Sequence, residues 1–411
     1  MIKRTSRALF FEYLKIFPVV AIIGPRQSGK TTLTQELPSE TWGFFDLEKG
    51  ADFDMISRDP DLFLRLNPKQ IVVDEAQILP ELFPALRVAI DADRSAKGRF
   101  VITGSSSPEL LGSISESLAG RIGIIELSPL TLSEVFDRAD GADSFFNLFT
   151  GCAPQDVFEN LQPQSSIQEL HKYWLKGGYP ELWLEQNPRF SEAWYPQYFQ
   201  TFVTRDLRQY FPGIDPQRFG LFLQLLAGLS GDIINYSDVA RHLGVSQPTA
   251  RDYFHIAHHT FIWRTLWPYE RNSQKRIVKH PKGYIRDSGL LHYQMRIQDE
   301  AHLLAHPKMG NSWEGMVIEQ ILRGLDARGV PYTPYHYRTK GGSEIDLILE
   351  GRFGIIPIEI KYASRIKKPA LKALHTFCVD RQLPLGIIIN NDDQVRWYSD
   401  KIVGIPLAFT I

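Results

Sequence analysis

Short apolar runs that end in glycine, an acidic residue or a small polar residue recur through the first third of the chain, with longer mixed stretches between them. Pro18 to Ile23 is one, and "TWGFFDLE", "QIVVDEAQ", "GRFVITGSSS" and "GRIGIIELSPL" repeat the form. Unbroken apolar runs suit strands covered on both faces, so these five segments predict a parallel sheet wound with helices over residues 1–130. From 131 to 212 the period changes. "SEVFDRA", "IQELHKYWLKGG" and "EAWYPQYFQTFVTRDLRQYF" space their apolar residues by three and four, which predicts helices. Between them, "GADSFFNLFTGCAPQDVFENLQPQSS" fits regular structure poorly and reads as a mobile insertion.

Residues 213–298 are punctuated as a helix-turn-helix. Ser237 is placed to cap "DVARHL", Gly244 supplies the turn, and Ser246 caps a second helix with Pro248 in its first turn. "TFIWRTLWPYERNSQKRIVKHPKGYIRD" then alternates about a polar turn, as the wing of a winged helix would. Over 299–411 the order is helix ("NSWEGMVIEQIL"), two strands joined by "GRFG" ("SEIDLILE", "IIPIEIKYA"), helix ("KKPALKALHTFCVD") and strands again. That is the order of a restriction-endonuclease-like α/β core.

Composition narrows the class. The 411 residues, 43% apolar and 12% aromatic, suffice for two to four domains with cores of their own. The 46 basic and 47 acidic residues cancel, so contact with nucleic acid needs a local patch. Cys152 and Cys378 lack metal-type spacing, which points to a reducing compartment. Glu12 and Lys15 interrupt the N-terminal apolar stretch, so no signal peptide is expected. No run reaches the roughly 20 apolar residues of a membrane span. A cytoplasmic protein without a membrane partner is the expectation.

The first strand runs into "GPRQSGKT", where Gly24, Gly29, Lys30 and Thr31 match G-x-x-x-x-G-K-[ST]. Such a loop wraps backbone N–H groups about phosphate oxygens, with the next helix pointing its positive end at them. ATP and Mg²⁺ are therefore the expected ligands. Lys30 would meet the β/γ-phosphates and Thr31 the metal, with Thr32 beside them in the nucleotide-binding set. In "QIVVDEAQ", Asp74 would hold Mg²⁺ through water and Glu75 would polarise the attacking water, unless the pair only caps the next helix. Ser105, or Thr103 before it, would sense the γ-phosphate, or else simply end its strand. Arg121, in "ESLAGRIG", would stabilise charge on a transferring phosphoryl group, often a neighbouring subunit's, or balance a helix dipole.

With these motifs the chain resembles the AAA+ ATPase superfamily. Through "GPRQSGKTTL", "DEAQ", "TGSSSPELL", "SLAGRIGIIELSPLTLSE", "GGYPE" and "TRDL" it is similar to a group of bacterial and archaeal ATPases with a long C-terminal extension. The resemblance supports the roles of Lys30, Thr31, Asp74 and Glu75, and less directly that of Arg121. Residues 131–212 are then a helical lid over the nucleotide. Arg205 in it is a second phosphate sensor or a partner in a surface ion pair.

If the winged helix binds DNA, Gln247, Thr249 and Arg251 would meet base edges. Arg271, Lys275, Arg276, Lys279 and Lys282 would then form a basic strip for phosphates. Otherwise the module is a rigid connector. In the tail, Glu359 and Lys361 lie two apart and share a strand face, with Asp346 within reach across the hairpin. Glu314 shares its helix face with Val317, Ile318 and Ile321, so it points inward. The tail resembles the PD-(D/E)XK nuclease pattern, with Ile345 where its proline stands. Asp346 and Glu359 would hold Mg²⁺ and Lys361 would stabilise developing charge. The competing expectation is a buried ion-pair cluster in a fold that no longer cleaves. Two functions follow. One is an ATPase coupling hydrolysis to a nuclease-like module; the other is a regulatory switch, with a homo-oligomer or partner protein docked on the tail.

Overall fold

A computed structural model describes residues 2–410 except 69, 106–111, 113, 115, 139–143, 188, 208–210, 212, 270–279, 340–342 and 367. The five apolar runs form one sheet. Its strands are β1 (Val19–Gly24), β2 (Gly43–Asp46), β3 (Ile71–Asp74), β4 (Phe100–Ser105) and β5 (Ile122–Glu126), in the order β2-β3-β4-β1-β5. Every pairing is parallel, as unbroken apolar runs require when helices cover both faces. The order puts β4 between β1 and β3, so the loops after β1 and β3 flank the end of β4.

The remaining strands form a second, mixed sheet. They are β6 (Trp263–Pro268), β7 (Lys282–Ile285), β8 (Tyr332–Arg338), β9 (Glu344–Gly351), β10 (Gly354–Ile360), β11 (Gly386–Asn390), β12 (Arg396–Trp397) and β13 (Ile402–Pro406). The order is β12-β13-β11-β10-β9-β8-β6-β7. The hairpin expected as a wing is part of this sheet, because β6 pairs parallel with β8 through Trp267–Tyr335 and Pro268–His336. One sheet therefore spans the expected break at 298.

The helix Met309–Ala327 packs against this sheet, and Leu132, Phe145, Phe158, Leu170 and Trp174 join the same core. Phe145, Phe146, Leu148 and Phe149 are buried there, so the described part of the expected mobile insertion is a core element. Its aromatic residues make no helical or strand period, which is why pattern reading missed it. The expected lid thus divides. The buried apolar residues described between Leu132 and Trp174 belong to the C-terminal core, and the helices Pro180–Leu184 and Phe190–Thr201 reach the glycine loop.

The helices Tyr236–Leu243 and Gln247–His259 meet at Gly244, whose φ of 63° suits glycine. Asn235, not Ser237, caps the first, accepting from the N–H groups of Ser237 and Asp238. Ser246 caps the second through the Thr249 N–H. Among the described residues no helix is long and apolar enough to cross a membrane.

Candidate functional site

All five strands of the parallel sheet end on one edge, and the glycine loop closes that edge above β1. Gly24 is required by close packing, since a Cβ there would lie 2.2 Å from the Leu127 carbonyl oxygen. Gly29 has φ 94°, a left-handed turn that lets the helix Lys30–Thr34 start with its N–H groups facing the loop. The buried Lys30 ammonium donates to the carbonyls of Gly24 and Pro25 at 3.1 and 3.0 Å. Ser28 Oγ is buried with no protein partner, a donor left over for an anion.

The acidic pair lies where β3 ends. Thr31 Oγ1 donates to Asp74 Oδ2 at 2.7 Å, and Thr103 donates to Asp74 Oδ1. A hydroxyl and a carboxylate side by side are the hard oxygen donors that Mg²⁺ prefers, so these residues fit the metal expected with ATP. Glu75 has φ 55°, a strained conformation for a non-glycine residue. Its Oε2 accepts from the Ser105 hydroxyl at 3.1 Å and from the Gln77 amide. Burial pushes the Glu75 carboxyl up, but Lys30, Gln77, the Ser105 N–H and Arg26 outweigh it and hold it below the usual range. Ser105, expected at the γ-phosphate, is here a partner of Glu75.

Three further residues shape the site. Arg4 donates to the carbonyls of Ser28 and Ser128, both at 2.6 Å, and pairs with Glu134 at 3.2 Å, bracing the loop from the N-terminal segment. Arg26 and Arg205 both reach Glu48, at 3.0 and 2.8 Å. Arg205 thus reaches the mouth of the pocket from the helical side, while pairing with a carboxylate as a surface residue would. The cavity holds about 500 Å³, and Leu130, Pro180, Leu184, Trp194 and Tyr198 give it an apolar wall, while Thr32 lines the loop side.

Arg121 is elsewhere. It forms a two-pronged pair with Asp91, 3.0 Å on each arm. It immediately precedes β5, whose Ile122 pairs with Val19 at the start of β1. At about 3.3 Å per residue, a strand length separates it from the loop of its own chain. A parallel crossover returns the chain to the far edge before each new strand, and that reversal removes Arg121 from its own site.

The tail residues do converge. The β9–β10 register pairs Leu347 with Ile358, so Asp346 faces Glu359 one step on, on one side of the sheet. Lys361 Nζ bridges them, at 2.7 Å from Glu359 Oε1 and 3.5 Å from Asp346 Oδ2. Glu314 enters from its helix and accepts from Tyr284 and from Lys282, the latter at 2.6 Å. Lys282 is therefore not on an exposed strip. It is 4% exposed, 2.7 Å from Glu344 and 3.9 Å from Asp346 Oδ1. It lies on β7, whose pairing with β6 at the end of the sheet order brings it to the tail carboxylates, an effect invisible in a run of basic residues. Arg271, Lys275, Arg276 and Lys279 lie outside the described residues. Gln247 and Arg251 are exposed and Thr249 is half-buried.

Burial and Asp346 raise Glu359 to about 8 and Glu314 to about 7, against the pull of Lys361 and Lys282. Four carboxylates face two ammonium groups, so each cation is divided between acids. Among the described residues no three acidic, histidine or cysteine side chains are arranged to hold a metal. The positions beside Glu314 and Asp346 are taken by lysine, so the cluster as placed does not fit the expected Mg²⁺.

The AAA domain family matches residues 17–136, and two domains of unknown function, DUF8612 and DUF4143, match 167–301 and 309–409. Uncharacterized proteins of Mycobacterium tuberculosis and Mycobacterium bovis are each 35% identical over 406 residues, covering 98% of this chain and 83% of theirs. Among solved structures, a Walker-type ATPase of Pyrococcus abyssi is similar over 72% of this chain and 96% of its own, at 16% identity and TM-score 0.43. The RuvB Holliday junction branch migration motor of Thermotoga maritima is similar over 66% and 92%, at 16% identity and TM-score 0.30.

Proposed function

The chain belongs to the family of those two mycobacterial proteins, an AAA-type P-loop ATPase family, and on that premise we propose that it binds and hydrolyses ATP and passes the change to its C-terminal sheet. One observation carries the reading. Lys30, the Thr31–Asp74 pair and Glu75 meet on a single strand edge, held by carbonyls, hydroxyls and an amide that phosphate or water can replace.

The Lys30 ammonium would leave its two loop carbonyls for the β/γ-phosphate oxygens. Thr31 and Asp74 would hold Mg²⁺, which neutralises phosphate charge when bound. Glu75, freed from Ser105 and Gln77, would take the proton of the water that attacks the γ-phosphorus, and ADP would depart with the bridging oxygen. The apolar wall of Leu130, Pro180, Leu184, Trp194 and Tyr198 suits the base. ATP should change Trp194 emission saturably, and Lys30→Ala should abolish that change. A response that survives Lys30→Ala, or one unaltered in Trp194→Phe, counts against this pocket.

Coupling has a direct contact to use. β5 lies beside β1 and ends at Glu126, which pairs with Arg286, the residue after β7. Arg286 also holds Glu319 of the helix Met309–Ala327 at 3.1 Å. A second reading, a switch whose nuclease-like tail does not cleave, is favoured by the lysines seated on the tail carboxylates. DNA contact rests on the exposed Gln247 and Arg251 alone among the described candidates.

A further inference from the structure

Lys282 has the surroundings of a coordinated cation rather than of a surface lysine. Its ammonium is 2.6 Å from Glu314 Oε1, 2.7 Å from Glu344 Oε1 and 3.9 Å from Asp346 Oδ1, and its side chain is 4% exposed. Three carboxylates from a helix and a strand thus converge on one positive charge carried in by β7. Beyond them, Glu359 keeps one buried oxygen, Oε2, without any hydrogen-bond partner. A buried acceptor of that kind is costly unless something positive can reach it.

We infer that Lys282 is a built-in cation that stands in for a divalent metal and keeps the C-terminal carboxylate cluster closed to one. Electrostatics supports the exchange. With Lys282 in place, the four carboxylates exceed the two ammonium groups by two charges. Without it the excess is three, in a buried site where extra negative charge is disfavoured. A divalent ion is the compact compensation available, and Asp346, Glu314 and Glu359 carry hard oxygen donors for it, although with Lys282 seated among them no three of the described residues are arranged to hold one. Lys361 would remain as the local cation.

The test uses Mn²⁺ alone, without nucleotide, on the full chain. Mn²⁺ binding is followed by calorimetry and by electron paramagnetic resonance in wild type, Lys282→Met and Lys282→Gln, and with Asp346→Asn added to each. Methionine preserves the buried stem, and glutamine keeps a donor for Glu314 should methionine fail to fold. Both variants should gain a site that Asp346→Asn removes, at least about tenfold tighter than any Asp346-dependent site in wild type. Asp346-dependent binding by wild type equal to that of the variants overturns the inference. So does the absence of such a site in a folded variant. If neither variant folds, wild-type melting decides, because an Asp346-dependent rise with Mn²⁺ shows that the lysine does not exclude the metal. Failure of ATP binding would leave this outcome untouched, since the glycine loop contributes nothing to the cluster.

Discussion

Two buried acidic centres in this molecule behave in opposite ways. At the parallel sheet, Glu75 is held by a hydroxyl, an amide and nearby cations, and its carboxyl sits below the usual range. At the mixed sheet, Glu359 shares Lys361 with a second carboxylate, and its carboxyl rises to about 8. Burial pushes both upward. The difference is how many acids divide each cation. Lys30 pulls the Glu75 carboxyl down and donates to the carbonyls of Gly24 and Pro25, neutral acceptors that an incoming phosphate can replace. Lys282 and Lys361 are committed to four carboxylates. The first centre is arranged to exchange partners, and the second already holds lysines of its own chain.

The largest effect should come from Glu75→Gln. Removing the base while keeping the shape should lower ATP turnover about 10²–10⁴-fold with binding preserved, as single-turnover and binding measurements would read. Turnover equal to wild type would remove Glu75 from the hydrolytic step. Next, Lys30→Ala should weaken ATP binding about 100-fold, since a charge-assisted contact of about 3 kcal/mol disappears. A titration showing unchanged affinity would dissolve the contrast between Lys30 and the lysines of the tail.

The pH dependence sharpens it further. Glu359 has a folded-state pKa of about 8 against 4.5 for the unreacted group, so the native state holds its proton more tightly. Its contribution to stability is complete below about 4.5 and is lost as pH rises through about 8. Glu359→Gln should therefore lose less melting temperature than wild type across that interval. An identical slope would show that Glu359 titrates normally. Arg121→Ala should have the smallest effect, under about twofold on turnover, because its surface pair with Asp91 is exposed and far from the loop. A loss of 100-fold, restored by mixing with Lys30→Ala chains, would place Arg121 at a neighbour's nucleotide instead.

Local chemistry was readable from the chain, and so were contacts fixed by strand register. The glycine loop, Asp74–Glu75 and the Asp346, Glu359 and Lys361 face all depend on spacings of a few residues or on a tight hairpin. Even inward-facing Glu314 follows from its helix period. Long-range partners carried no such signal. Arg4 reaches Ser128 and Glu134 more than a hundred residues away, Arg26 and Arg205 meet on Glu48, and Lys282 meets Glu344 only because β7 joins the sheet beside β6. The distance of Arg121 from the loop of its own chain is hidden for the same reason, since strand direction sets it.

The parallel pairing of β6 with β8 has a practical side. A fragment beginning after residue 298 would carry β8 with its hydrogen-bonding edge stripped of Trp267 and Pro268. It would also lack Lys282, leaving Glu314 and Glu344 without their cation. Such a raw edge is a template for joining other chains, so the fragment should aggregate where the intact protein does not. The segment from Trp263 to Ile285 and the C-terminal sheet are therefore one inheritable piece: a recombination that moved either alone would transmit a sticky half-sheet rather than a module.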